Sequence, residues 1–190
     1  MARLGTNPSR GQQLEFTPPR VTVAVLVYEP NQAGYFQHRL DVTKLTLDSI
    51  LKNTPEPFEL LVFDNGSCDA MTDYLRELNQ AGRIDTLVLS HQNIGKLNAL
   101  WRIANLAQGE VIAYSDDDVY HMSDWLPKHL QVLDTYPDVG AVTGFYIKQR
   151  VVMSSESTLR WVANYEKEHP GMVQRGNLIP RKWEEEYMDN

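Results

Sequence analysis

The run Val21-Thr22-Val23-Ala24-Val25-Leu26-Val27 constrains this chain more than any other segment. Its residues are almost all β-branched or apolar, and nothing in it alternates. A strand with one wet face would alternate, so this one is expected to be covered on both faces, as strands of a parallel sheet are. A parallel neighbour cannot be reached by a tight turn and needs a crossover. The next residues supply one. A Pro/Asn/Gly loop runs from Glu29 to Gly34, and Asp41 then precedes Val42, Leu45, Ser49 and Ile50, which reads as a capped helix.

The unit then recurs. Glu59 to Phe63 reads as a second strand and Asp64-Asn65-Gly66-Ser67 as a turn, with Ser67 or Asp69 capping a helix striped by Met71, Tyr74, Leu75 and Leu78. Ile84 to Leu89 reads as a third strand, followed by a stripe at Leu97, Leu100, Trp101 and Ala104. Val111 to Tyr114 is a fourth, and Ser123 caps a helix carrying Leu126, Leu130 and Leu133. Val139 to Val142 is expected to be a fifth strand. Alternating strands and helices predict an α/β, Rossmann-like fold, with a mainly parallel sheet between helices. Residues 1–20 are polar with Gly and Pro and read as a flexible leader, residues 21–144 as the core, and residues 145–190 as a further region without clear period. The chain stops at Asn190 with no terminating signal, which reads as a fragment of something longer.

Composition narrows the function. A formal net charge of −7 over 190 residues argues against a nucleic-acid partner. A single cysteine, Cys68, rules out a disulfide framework within the chain. No apolar run approaches the roughly 20 residues of a spanning helix, and no signal pattern opens the chain. The expected location is the cytoplasm, or a peripheral place at the inner membrane face.

In parallel α/β sheets ligands bind beyond the carboxyl ends of the strands. Three polar clusters stand there: Tyr28-Glu29, Asp64-Asn65-Gly66-Ser67 and Ser115-Asp116-Asp117-Asp118. Adjacent carboxylates repel one another, and a divalent cation between them relieves the repulsion. Mg²⁺ and Mn²⁺ take carboxylate oxygens and leave positions for phosphate. The plain alternative is a solvated acidic turn. Asp64 or Asn65 could read a base edge, or serve only to cap the next helix. Tyr28 could stack on a base, or be ordinary rim. Lys96, after Gly95, could meet a phosphate as a point charge, or lie on the surface. His91, His121 and His129 lack zinc spacing and read as structural or surface residues. No nucleophile elbow, Walker loop or dinucleotide glycine motif is present, which disfavours hydrolases, P-loop ATPases and dehydrogenases.

Taken in order, these pieces resemble the GT-A glycosyltransferases of the family 2 type over Val21 to Gly144. The resemblance rests on a first strand ending in Tyr28, the turn Phe63-Asp64-Asn65-Gly66-Ser67, the segment Asn93-Ile94-Gly95-Lys96 leading into a helix up to Gly109-Glu110, the Asp-rich motif with Val119-Tyr120, and Trp125-Leu126. It implies that Tyr28 stacks on the donor's base and that Asp64 or Asn65 bonds its edge. It also implies that Lys96 approaches the nucleotide, and that the Asp-rich motif binds ribose and, through Mn²⁺ or Mg²⁺, the diphosphate. On that basis the metal falls chiefly to Asp118, with Asp116 toward ribose, sugar or metal and Asp117 on the donor. The implied reaction is an inverting, metal-assisted transfer from a nucleotide-diphosphate sugar to a saccharide or other hydroxyl acceptor. Residues 145–190 would begin the acceptor side.

Glu29 stands where the family often has Asn, and Asn65 where many members have a second Asp, which leaves the base open. No catalytic base is assigned. Glu184, Glu185, Glu186 and Asp189 are candidates by position alone, and Arg160-Trp161 lacks the glutamine of the processive signature, with Ser157 in its place. Two other functions fit less of the chain: a nucleotide-binding module without transfer, and a nucleotidyltransferase, which would carry a basic Gly-rich loop where Glu29-Pro30-Asn31 stands.

Overall fold

The computed structural model describes residues 16–55, 57–136, 138–144 and 160–171. Strand β1 is Val21–Val27, and every residue in it is buried. It pairs in parallel with β2, Phe58–Asp64, on one side and with β4, Val111–Asp116, on the other. Strand β3, Thr86–Leu89, pairs in parallel with β2, which makes the order β3-β2-β1-β4. The order reverses between β1 and β4, and such a switch point opens a crevice at the carboxyl ends. Val27 lies beside Asp64 and Leu26 beside Asp116, so the register brings three strand ends to one place.

Two cores flank the sheet. On one face, Val21, Val23, Val25 and Val27 pack with Leu47 and Ile50 of α1 (Arg39–Asn53), Met71, Leu75 and Leu78 of α2 (Asp69–Gln80), and Leu126 of α4 (Trp125–Thr135). On the other, Ala24, Leu26, Leu61 and Phe63 pack with Ala99 and Ile103 of α3 (Lys96–Leu106). A fully buried Leu or Ile contributes about 2 kcal/mol.

Several expectations need correction. The buried face of α3 is Ala99 and Ile103, whereas Leu97 and Trp101 are 82% and 71% exposed. Of the expected stripe Leu100 alone packs on that core, partly buried, while Leu97, Trp101 and Ala104 face away. Val139 to Val142 forms no strand, and Val139 and Val142 are only half-buried, because a strand needs a ladder partner and none is offered among the described residues. The caps differ too. His38, Cys68 and Asp124 occupy the cap positions of α1, α2 and α4 without side-chain cap bonds, and Asp41 sits inside the first turn of α1. Arg20, placed above in the leader, is tied into the domain. It pairs with Asp134, and its carbonyl accepts from Val111 N–H.

The chain divides into two units, residues 1–141 and 142–190. In the second, residues 160–168 are helical, and Trp161 stacks on Tyr165 with ring centroids 5.2 Å apart. The 1–15 part of the leader and Glu184, Glu185, Glu186 and Asp189 lie outside the described residues.

Candidate functional site

The carboxylates of the Asp triplet point in different directions. Asp117 turns inward. Its Oδ2 accepts from Tyr28 N–H at 3.3 Å and its Oδ1 from Arg39 Nη2 at 2.5 Å. Asp118 turns outward and takes the other prong of the same guanidinium, Nη1, at 3.0 Å. Asp116 accepts from Lys96 Nζ at 2.7 Å and from the Tyr114 hydroxyl. Side-chain exposure follows these directions: 4% for Asp117, 45% for Asp118 and 45% for Asp116.

Burial holds the Asp117 carboxyl above the usual carboxylate range, against the pull of Arg39 and Tyr28 N–H. Asp116 goes the other way. Partial burial works against its charge, but bonds from Lys96 and Tyr114 outweigh that and keep it low. Burial also opposes the Arg39 charge, yet Asp117 and Asp118 together raise it. The triplet is therefore partly offset by two cations of its own chain, Arg39 and Lys96.

Helix α1 fixes the loop that carries the triplet. Thr46 Oγ1 donates to Asp117 O at 3.0 Å, Ser49 Oγ accepts from His121 N–H at 3.0 Å, and Asn53 Nδ2 donates to His121 O at 2.6 Å. These bonds explain why α1 buries Thr46 and Ser49 beside Leu47 and Ile50. His121 itself is buried on Trp125, with ring centroids 4.4 Å apart, and burial lowers its pKa to about 4. Among the described residues no three His, Cys, Asp or Glu side chains form a metal cage.

The second cluster is largely structural. Asp64 is buried; its Oδ1 accepts from Ser67 N–H and its Oδ2 from Thr72 Oγ1, which ties the turn to α2. Asn65 grips the next loop: its Oδ1 accepts from Ile94 N–H at 3.0 Å, and its Nδ2 donates to Asn93 Oδ1 at 3.1 Å. Gly66 makes the close approach possible. It has φ +83°, and a Cβ there would lie 2.6 Å from the Gln92 carbonyl carbon. Glu29 latches the first cluster to the second, its N–H donating to Ser67 Oγ and its carbonyl accepting from Cys68 N–H. The Glu29 side chain is fully buried with Oε2 unpartnered, and burial raises its pKa.

A cleft of about 290 Å³ opens above these groups, lined among others by Tyr28, Arg39, Asn65, Lys96, Asp116 and Asp117. A larger cavity, about 440 Å³, lies elsewhere between Phe63, Val88, Trp101 and Leu106. We place the site in the smaller one, because carboxylates, cations and amides converge there at the strand ends, whereas the larger has Arg102 and Asn105 as its polar lining and no carboxylate. Of the residues picked from the sequence, Tyr28, Asn65, Lys96, Asp116 and Asp117 meet at this cleft, Asp118 adjoins it through Arg39, and Asp64 stands behind the turn. Arg39, Asn93 and Phe36 were not anticipated as parts of a site. Phe36 packs edge-on to Tyr28, with centroids 6.2 Å apart.

A parallel sheet with a carboxylate-edged cleft at its switch point is the arrangement that the resemblance to the GT-A class implies. Solved structures agree. A mannosyltransferase of Pyrobaculum calidifontis, in complex with GDP-Man and Mn²⁺, is 26% identical with a TM-score of 0.55, covering 69% of this chain and 36% of that one. The S. aureus protein TarS, at 18% identity and a TM-score of 0.51 over 68% of this chain and 23% of its own, shares the fold. The family model for glycosyl transferase family 2 matches residues 36–182, and the chain belongs to that family. A glucosyl-dolichyl phosphate glucuronosyltransferase of Haloferax volcanii is 29% identical over 124 residues, which are 64% of this chain and 39% of the relative. An uncharacterized glycosyltransferase of Haemophilus influenzae is 25% identical over 130 residues, 68% of this chain and 37% of its own. The chain thus spans well under half the length of these relatives. Family membership removes the nucleotidyltransferase alternative. Among the described residues no helix is long and apolar enough to cross a membrane.

The residues present suit a divalent cation. Mg²⁺ and Mn²⁺ commonly use one or two carboxylates and take further oxygens from substrate phosphates, without a full protein cage. Asp118 and Asp116 are carboxylates at the cleft edge, each already facing a positive group.

Proposed function

We propose that this domain is the donor-binding half of a glycosyltransferase that moves a sugar from a nucleoside-diphosphate sugar to an acceptor hydroxyl, with inversion. The observation that carries the reading is the convergence of an aromatic ring, amides, cations and carboxylates on one cleft at the switch point. Tyr28 stacks on the base, and Phe36 against its edge keeps the ring in place. Asn65 offers its amide to the base edge, with Asp64 bracing the turn behind it. Lys96 neutralises phosphate charge, Asp116 faces the ribose or the metal, and Asp117 orients the donor through Tyr28 N–H and Arg39. Asp118 is the principal metal ligand. A bound Mn²⁺ or Mg²⁺ would supply Lewis-acid stabilisation of the departing diphosphate.

The test is thermal stabilisation by UDP, GDP, TDP, CMP and ADP, each with Mn²⁺ and with chelator. A ligand that binds only the native state must raise the melting point. We expect a Mn²⁺-dependent rise with one nucleoside diphosphate, abolished in Asp118→Asn without loss of basal stability. An equal rise in the mutant would sink the assignment. The length of the relatives favours one second reading, a domain that binds donor yet transfers nothing unless the rest of the enzyme is present. Nucleotide binding without transfer to any sugar acceptor would select it.

A further inference from the structure

Arg39 is shared unevenly between two carboxylates. One prong meets Asp117, whose side chain is 4% exposed, and the other meets Asp118, which is 45% exposed. Between them, Nε is buried and has no hydrogen-bond partner. A guanidinium has five N–H donors in a fixed fork, and a buried unsatisfied one is costly. The present pose is thus secured at one end, weakly held at the other and incomplete in the middle.

Charge supplies the second argument. The triplet carries three negative charges, and Arg39 with Lys96 carries two positive ones. A divalent cation arriving alone meets carboxylates that are already paired, and Asp118 can receive it only by releasing Arg39. Those five groups sum to one negative charge; the cation alone leaves one positive charge in excess. A nucleotide-sugar diphosphate arriving with it returns the sum to where it began and offers a pair of acceptor oxygens that the guanidinium fork can meet.

We propose that Arg39 is the resident counter-cation of Asp118. As a positioning residue it yields that carboxylate to the metal and turns its freed prong to the diphosphate, while its Asp117 prong stays fixed. The consequence is coupled binding: metal alone binds weakly, and metal with nucleotide binds well. The proposal rests on the donor-site reading above.

The experiment uses the full chain, with Mn²⁺ alone followed by the free-ion electron paramagnetic resonance signal, then Mn²⁺ with GDP or UDP by calorimetry. Arg39→Gln should bind Mn²⁺ alone more tightly, by up to about fivefold, the scale of losing a competing exposed ion pair. The same variant should bind the nucleoside diphosphate more weakly. Arg39→Lys should keep the wild-type weakness toward Mn²⁺ alone and recover only part of the nucleotide affinity. A merely structural role would weaken both ligands together, and unchanged or weaker Mn²⁺ binding in a folded Arg39→Gln protein would overturn the proposal. Should that variant not fold, the wild-type Arg39 Nε–H resonance decides: it should shift on joint addition of Mg²⁺ and nucleoside diphosphate, and no shift overturns the idea. Failure of the donor-site reading looks different, since the wild-type protein would then show no metal-dependent nucleotide binding at all.

Discussion

The two ends of the sheet each bury a glutamate, and they treat it differently. At the amino end, Glu59 accepts from Thr22 Oγ1 at 2.7 Å, from Thr86 Oγ1 at 2.9 Å and from Gln108 N–H at 3.2 Å. Gly109 packs there so closely that a Cβ would lie 2.7 Å from Thr22 N. At the carboxyl end, Glu29 has Oε1 facing Cys68 Sγ at 3.8 Å and Gln32 near its carboxyl, while Oε2 makes no hydrogen bond of normal geometry. Satisfied polar groups hold a fold together, while unsatisfied ones collect where a ligand is to be met. The amino end is built to close the sheet, and the carboxyl end keeps its charges only partly answered.

Three changes would break or sharpen that contrast. The largest effect belongs to Glu59→Ala, which strands the hydroxyl donors of Thr22 and Thr86 and leaves Gln108 N–H with Thr22 Oγ1 alone. We expect a loss of about 3 kcal/mol in denaturant unfolding, with nucleotide binding by the folded fraction unaltered. A loss near zero would mean the amino-end network contributes little.

Next comes acid. The His121 pKa is lowered from 6.5 to about 4 by burial, so the unfolded state takes up a proton that the folded state refuses. That contribution is full above pH 6.5 and is lost as pH falls toward 4. It amounts to about 2 kcal/mol after allowance for solvent screening at the rim. His121→Phe should flatten stability between these two limits, and an unchanged slope would assign the acid sensitivity elsewhere.

The smallest change concerns Glu29, whose folded pKa is raised from 4.5 by burial. A raised carboxylate favours the fold below 4.5 and loses that advantage as pH climbs through the folded value. Glu29→Gln should therefore gain on wild type with rising pH, by about 1 kcal/mol at neutrality. A gain that shrinks with pH would show that the orphaned oxygen is not the cause.

Much of this was legible from residue type alone. The β1 and β2 runs are apolar throughout because both faces are covered, and the Met71-Leu75-Leu78 stripe of α2 faces the core as its spacing predicts. Helix α3 was misread because it is apolar on two sides, and periodicity cannot say which of them meets the sheet. The Val139 to Val142 strand failed because an apolar run becomes a strand only beside a partner. At the site, the converging strand ends follow from the alternation of elements. Arg39 was invisible for a different reason: its partners are 78 and 79 residues away along the chain, and a lone arginine near a helix start resembles any surface residue. Asp64 and Asn65 read equally as base-reading or as turn residues in the sequence; their bonds to Ser67, Thr72, Ile94 and Asn93 are those of the turn reading and are compatible with the other.

The bonds from Thr46, Ser49 and Asn53 to the triplet loop make α1 a lever with its short arm in the cleft. Three hydrogen bonds tie the loop's backbone to the helix, at Asp117 O and at His121 N and O. Leu45, Asp48 and Lys52 lie on the exposed outer face of the same helix. A change in how α1 lies on the sheet would therefore be felt at Asp117 and His121, the two residues of that loop the helix holds.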